Sequence, residues 1–202
     1  GHQASGVPVA GPMDPFAHRL ANALIGNARD AATLEVTLVG PELQFGDERV
    51  VTVSGARFAL TVDDAPIDHE VPVRVRPGSV LRFGARLHGA RAYIAIEGGI
   101  DVPLVLGSRS THLPSGTGGW HGRALKRGDR LPLGTARPGT DPPTPKAARF
   151  QPDVLTAPGE ADAQPVEVRV LAGPQDDQFA TDALTQLTSR PYRVSVDSNR
   201  MG

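Results

Sequence analysis

Three groups of residues in this chain have side chains and spacings suited to chemistry. The first is Asp14, His18 and Asn22 in "GPMDPFAHRLANALIGN" (11–27). Steps of four residues put all three on one face if this stretch is helical. Asp14, after a Gly-Pro turn and before Pro15, is either a helix cap, stabilising by roughly 1 kcal/mol, or a carboxylate that works with His18 in proton transfer. His18 and Asn22 are either a surface pair or a ligand-facing one. The second group is "GSRSTH" (107–112). Arg109 offers a planar fork for a carboxylate or phosphate, with the hydroxyls of Ser108, Ser110 and Thr111 and the imidazole of His112 beside it. Such a run binds an anion or forms a solvated loop. The third joins "GPQDD" (173–177) to the terminal "DSNRMG" (197–202). Asp176 and Asp177 supply a general base or hold magnesium on phosphates, or they are a doubled acid favoured at a helix start. Ser198, Asn199 and Arg200 follow a strand-like run and face a pocket or form a turn.

Several chemistries lack their signatures. There is no Gly-x-x-x-x-Gly-Lys-[Ser/Thr] loop, and the chain's lysines are Lys126 and Lys146, so any phosphate falls to arginines, backbone N–H groups and helix starts. No Gly-x-Ser-x-Gly elbow and no His-Glu-x-x-His zinc motif is present, so no metal ligand is assigned. No Met-Lys-Met occurs, so this chain is not expected to carry biotin. Cysteine is absent and the net charge is −1. That removes thiolate chemistry and gives no basic surface for nucleic acid or membrane. The apolar runs are strand-sized, with no spanning segment and no visible signal peptide, which fits the cytoplasm. The polar ending "VSVDSNRMG" and the lack of an initiating Met read as a segment of something longer.

The elements that must position these groups are mainly strands. Twenty-three glycines, 19 prolines and 4% aromatics suit a turn-rich β fold. After a helix at about 14–26, strand-like runs occur at 34–40, 49–54, 57–62, 70–75, 79–83 and 90–98. A tight turn at Gly55 separates the second from the third, and "RPGS" and "HGAR" turns divide the later ones. The series predicts a closed or nearly closed antiparallel barrel with a few short helices. Residues 98–122 form a Gly/Ser/Thr/His-rich loop, and 123–134 return to strand–turn–strand. The organisation read from this is a first barrel subdomain at 1–134, a Pro-rich linker or surface excursion at 135–165, and the start of a second, truncated subdomain at 166–202. "GPQDDQFA" (173–180) echoes "GPMDPFA" (11–17), which is either an internal duplication or chance.

Six segments together resemble a known family: "GVPVAGPMDPFAHRLANALIGN", "LEVTLVGPELQF", "IEGGIDVPLVLGSRSTH", "GRALKRGDRLPLG", "LAGPQDDQF" and "SNRMG". They are similar to the KipA/allophanate hydrolase subunit 2 family. It includes the C-type subunit of bacterial 5-oxoprolinase and recurs as the carboxyltransferase region of urea carboxylase. The resemblance runs from residue 1 to 202, weakening at 135–165. Family members carry a strand before this start and a substantial region after "SNRMG". The resemblance implies a cyclophilin-like β-barrel and a small amide or lactam substrate. It also implies two partners: a KipI-like, B-type subunit (the allophanate hydrolase subunit 1 type) and a third, A-type one. The implied reaction opens 5-oxo-L-proline to L-glutamate with ATP, accompanied by magnesium, and phosphorylation makes the lactam oxygen a leaving group. On these motif positions, chemistry assigns proton shuttling to His18, Asp14 and Asp176. It assigns substrate or phosphate binding to Asn22, Arg109, Ser110, Thr111, His112, Asn199 and Arg200. Two other readings stand beside it: a carboxyltransferase module of a biotin-dependent urea carboxylase, and a non-enzymatic KipA-like antagonist of a KipI-like kinase inhibitor.

Overall fold

A computed structural model describes residues 2–7, 9–136 and 170–192. Two compact units divide the chain, Gly1–Asp162 and Ala163–Gly202. The larger is built on helix α1 (Pro15–Leu24) and eight strands: β1 (Leu34–Thr37), β2 (Glu42–Gln44), β3 (Arg49–Val62), β4 (Ala65–Ile67), β5 (Val73–Val75), β6 (Val80–Ile96), β7 (Thr111–His112) and β8 (Thr117–Gly118). The fold is mainly β and antiparallel. Long strands β3 and β6 pair at its centre, from Val51↔Ile96 to Val62↔Leu81. β1 and β2 pair with opposite ends of β6, and β4 and β5 with opposite ends of β3.

Two expectations need correction here. The runs at 49–54 and 57–62 are one strand, as are those at 79–83 and 90–98. Gly55 and the "HGAR" segment lie inside β3 and β6 instead of turning the chain. The cause is a bulged stretch between Gly55 and Leu60, where the β3–β6 register shifts. An inserted residue moves every later side chain to the opposite face. Accordingly, the inward residues of β3 change from Val51 and Val53 to Ala56, Phe58, Leu60 and Val62. Gly55 has φ +96, and a Cβ there would lie 2.6 Å from the Arg91 carbonyl oxygen. No other residue fits that corner without strain. Among the described residues the sheet bends at these bulges but does not close on itself. The run 123–134 also differs from expectation. It forms a turn at Lys126–Asp129 and only an isolated bridge, Ile100↔Leu133, in place of strand–turn–strand.

Alternation in the sheet supplies two apolar layers. Val36, Val51, Val53, Phe58, Leu60, Leu81, Ile94 and Ile96 fill the inside of the bend. Val50, Tyr93 and Ala95 point the other way and receive Ala17 and Ala21 of α1 and Ile25 just after it. The small residues Ala17 and Ala21 let the helix approach closely: the position of a Gly55 Cβ would be 3.4 Å from Ala17 Cβ. β4 leaves β3 after pairing at Leu60, and the imidazole of His69 takes over the freed edge. Its Nε2 lies 3.1 Å from both the Phe58 nitrogen and the Phe58 carbonyl oxygen.

The smaller unit contains a 3-10 turn (Asp176–Gln178) and helix α2 (Ala183–Ser189), and none of their residues is buried. The Gly-Pro-x-Asp entry is not reused as in α1. Asp176 begins the 3-10 turn, and α2 starts six residues later from Asp182, without a side-chain cap bond. No helix among the described residues is long and apolar enough to cross a membrane.

Candidate functional site

Helix α1 starts as its sequence requires. Asp14 Oδ1 accepts the N–H groups of Phe16 and Ala17, both at 3.0 Å, and Pro15 occupies the first turn, where no intrahelical donor is needed. The Asp14 N–H is bound in turn by the Tyr93 hydroxyl oxygen at 2.7 Å. Tyr93 donates to Glu35 Oε2 at 2.8 Å. Glu35 Oε2 also accepts the Met13 N–H at 2.9 Å, and Glu35 Oε1 pairs with Arg91 at 2.8 Å. A carboxylate, a phenol and a guanidinium on β1 and β6 thus seat the helix start. Burial pushes the Tyr93 phenol well above its ordinary range; the Asp14 N–H opposes this and the Glu35 carboxylate adds to it. Tyr93 is therefore a fixed hydrogen-bond donor at neutral pH.

One turn further on, His18 Nδ1 lies 2.9 Å from Thr33 Oγ1, and its ring meets Tyr93 edge-on with centroids 6.1 Å apart. Burial, helped by the Arg19 guanidinium, holds His18 below its ordinary value, against the pull of Asp30 and Glu35. The imidazole is neutral at pH 7 and able to accept a proton. Asn22 is 0% exposed. Its Nδ2 donates to the Ala31 carbonyl at 2.8 Å, and its Oδ1 accepts from Asn27 Nδ2 at 3.1 Å. Asn27 carries this tie on to the Ile96 carbonyl and the Gly98 N–H. The Asn22 amide is thus engaged within the fold and presents no surface to a ligand.

The segment containing Arg109 follows a two-residue turn in which Val105 and Ser108 exchange backbone bonds at 2.8 and 3.0 Å. Arg109 Nε donates to the Val102 carbonyl at 3.0 Å, and Nη2 to the Asp101 carboxylate at 3.1 Å. Both side chains of this ion pair are exposed, where such a pair contributes only ~0–1 kcal/mol and can be exchanged for a ligand carboxylate. Ser110 Oγ bonds Ser108 Oγ at 2.9 Å. Thr111 and His112 form β7, facing Gly118 and Thr117 of β8, and His112 Nδ1 lies 2.7 Å from Ser115 Oγ.

The 27–33 loop connects the two groups. His18 bonds Thr33, the neighbouring Ala32 carbonyl accepts the Ile100 N–H at 3.3 Å, and the next residue, Asp101, holds Arg109. His18 and Arg109 are therefore braced through one loop. Asp176 lies in the smaller unit, exposed at the start of its 3-10 turn. Asn199 and Arg200 lie outside the described residues. Sequence reasoning missed Thr33, Glu35, Arg91 and Tyr93. The available signal was a tyrosine inside the otherwise apolar run "YIAI", since a buried phenol needs a partner. A groove of about 390 Å3 along β4, lined by Phe58, Leu60, Ile67, His69 and Leu87 among others, contains none of the candidate site residues.

Residues 5–202 match the family model of the carboxyltransferase domain, subdomain A and B. Over its whole length the chain is 38% identical to urea amidolyase of Lachancea kluyveri, of which it covers 11%. It is also 35% identical over its whole length to the C-type subunit of 5-oxoprolinase from Escherichia coli, of which it covers 61%. The crystal structure of the K. lactis urea amidolyase is similar with a TM-score of 0.62 and 48% identity, over 63% of this chain and 8% of that one. The chain thus spans about a tenth of the urea amidolyase relative's length and about three fifths of the 5-oxoprolinase relative's.

Proposed function

The chain belongs to the carboxyltransferase domain family, subdomains A and B, and on that premise we propose that it works as the C-type component of an ATP-dependent 5-oxoprolinase. In this reading a KipI-like, B-type subunit and an A-type one complete the enzyme in the cytoplasm, and 5-oxo-L-proline is opened to L-glutamate. The observation that carries the choice is Arg109. 5-Oxoproline bears a carboxylate beside its lactam, whereas urea has none, and Arg109 holds its fork in an exposed, exchangeable pair with Asp101. Ser110, Thr111 and His112 follow it as hydroxyl and imidazole partners for the rest of the ligand. His18, kept neutral by burial, receives or returns the proton at the lactam nitrogen, and Thr33 fixes its ring. Asp14 holds the helix start, and Asn22 holds the loop behind it. Asp176 as a proton shuttle and Asn199 and Arg200 as substrate or phosphate ligands are proposed on their motif positions alone.

ATP with magnesium is the co-substrate of the assembly and would convert the lactam oxygen into a leaving group. Among the described residues, no three His, Asp or Glu side chains come together to hold a metal ion. A second reading, the carboxyltransferase module of a urea carboxylase, is favoured by the 48% identity to the K. lactis urea amidolyase. In that case carboxybiotin arrives on another segment or chain.

The test is to mix the full-length protein with its A-type and B-type partners and measure glutamate released from 5-oxoproline with ATP. Glutamate formation that needs all three, together with a KM raised at least ~10-fold by Arg109→Ala, is the expected result. No ATP-dependent glutamate sinks the reading, and urea-dependent ATP turnover with a biotin carboxylase installs the second one.

A further inference from the structure

The hairpin of β7 and β8 gathers reactive side chains of which the reading above uses only Thr111 and His112. His112 and Thr117 are cross-strand partners, so their side chains leave the hairpin on the same face. Between them Leu113–Gly116 form a tight turn, closed by the Gly116 N–H on the Leu113 carbonyl at 3.1 Å. Ser115 is the third residue of that turn and is exposed. Its Oγ lies 2.7 Å from His112 Nδ1 and 2.7 Å from Thr117 Oγ1. The hairpin has little room to relax. A Cβ on Gly118 would collide with the Ser110 carbonyl oxygen, and one on Gly119 with the Thr111 hydroxyl.

Ser115 Oγ also lies 3.5 Å from the His112 carbonyl oxygen, a long contact beside the two short ones, and a serine hydroxyl within hydrogen-bond reach of an imidazole is the geometry of an activated nucleophile. We propose that Ser115 is a nucleophile with His112 as its general base, a site for acyl transfer from activated carboxylic acid derivatives. This role requires the tautomer of His112 with its proton on Nε2, so that Nδ1 accepts from Ser115, and the Thr117 hydroxyl turned to donate to Ser115 Oγ. Ser115 Oγ forms a bond to the acyl carbon as its proton passes to His112 Nδ1. The carbon's bond to the leaving oxygen then breaks, and His112 or solvent supplies that oxygen's proton. Water repeats the sequence in reverse, releasing the acid and restoring the serine. This activity needs neither ATP nor a partner protein, so its failure and that of the 5-oxoprolinase reading are separate results.

The probe is p-nitrophenyl acetate with the whole chain. A stoichiometric burst of p-nitrophenolate is expected, with an acetyl group on the peptide that contains Ser115. Ser115→Ala removes that adduct, Ser115→Cys restores one at the same position, and His112→Gln slows acetylation roughly 100-fold, each variant keeping the wild-type circular dichroism spectrum. Acetylation of other residues alone, or His112→Gln reacting as fast as the wild type, overturns the proposal.

Discussion

Tyr93 donates its hydroxyl hydrogen to Glu35 at 2.8 Å across the pair β6–β1, and the same oxygen receives the backbone N–H of Asp14 at 2.7 Å. The two residues stand directly opposite in the ladder. Apolar contact between α1 and the sheet gives affinity without a unique setting, because Ala17 and Ala21 could slide over Val50 and Ala95. This polar pair fixes where the helix begins, and with it the position of His18.

Tyr93→Phe removes the bridge while keeping the ring. The Asp14 N–H and one Glu35 oxygen lose a partner in a part-buried place, a cost of about 1–3 kcal/mol. Urea unfolding should show the midpoint lowered with the slope unchanged. A change below about 0.5 kcal/mol would mean that water replaces the phenol without loss.

His18 makes stability depend on pH. Its native value is depressed, so on acidification the unfolded chain binds the proton first. This contribution is present in full above the unfolded value of about 6.5. It is lost as pH falls from there through the lowered native value. His69, also lowered chiefly by burial, acts in the same direction. His18→Gln should therefore show a shallower fall in unfolding free energy below about pH 6.5 than the wild type. Parallel curves would show that His18 is not held neutral.

Asn22→Ala separates architecture from ligand binding. The buried amide serves Ala31 and Asn27, so its loss should destabilise by about 1–3 kcal/mol, read as a lower thermal midpoint. In the assembled enzyme, KM for substrate should stay within about twofold of the wild type. A large KM increase with unchanged stability would return Asn22 to the ligand.

Gly55→Ala places a methyl against the Arg91 carbonyl at a backbone angle that disfavours side chains. Destabilisation of roughly 1–3 kcal/mol is expected, with α1 displaced because Ala17 packs over the same spot. Hydrogen exchange on α1 should quicken along with the loss. An unchanged exchange pattern would show that the bend tolerates a Cβ.

Much of the frame was legible in the sequence. The cap of α1 could be read from Asp14-Pro15, because its physics is local. The strand-rich class could be read from alternation, and alternation also misled. It breaks phase at Gly55, and a broken phase looks the same whether the chain turns or bulges. Only pairing between Val53 and Ile94, or between Leu60 and Phe83, distinguishes the two, and those partners are far apart in sequence. The site was half visible for the same reason. His18 and Arg109 stand out by residue type, but Glu35 and Tyr93 look like ordinary members of strands until the ladder sets them opposite each other. Asn22 showed the right helix face, but not that the 27–33 loop folds over that face and closes it.

The imidazole of His69 has a wider consequence. A row of open amide and carbonyl groups along β3 would be a template for other chains, inviting edge-to-edge stacking and fibre growth. By hydrogen-bonding one polar group of Phe58 and lying against the other, the ring interrupts that row with a side chain that no incoming strand can extend. Replacing His69 by alanine should therefore lower solubility on storage before it lowers folding stability.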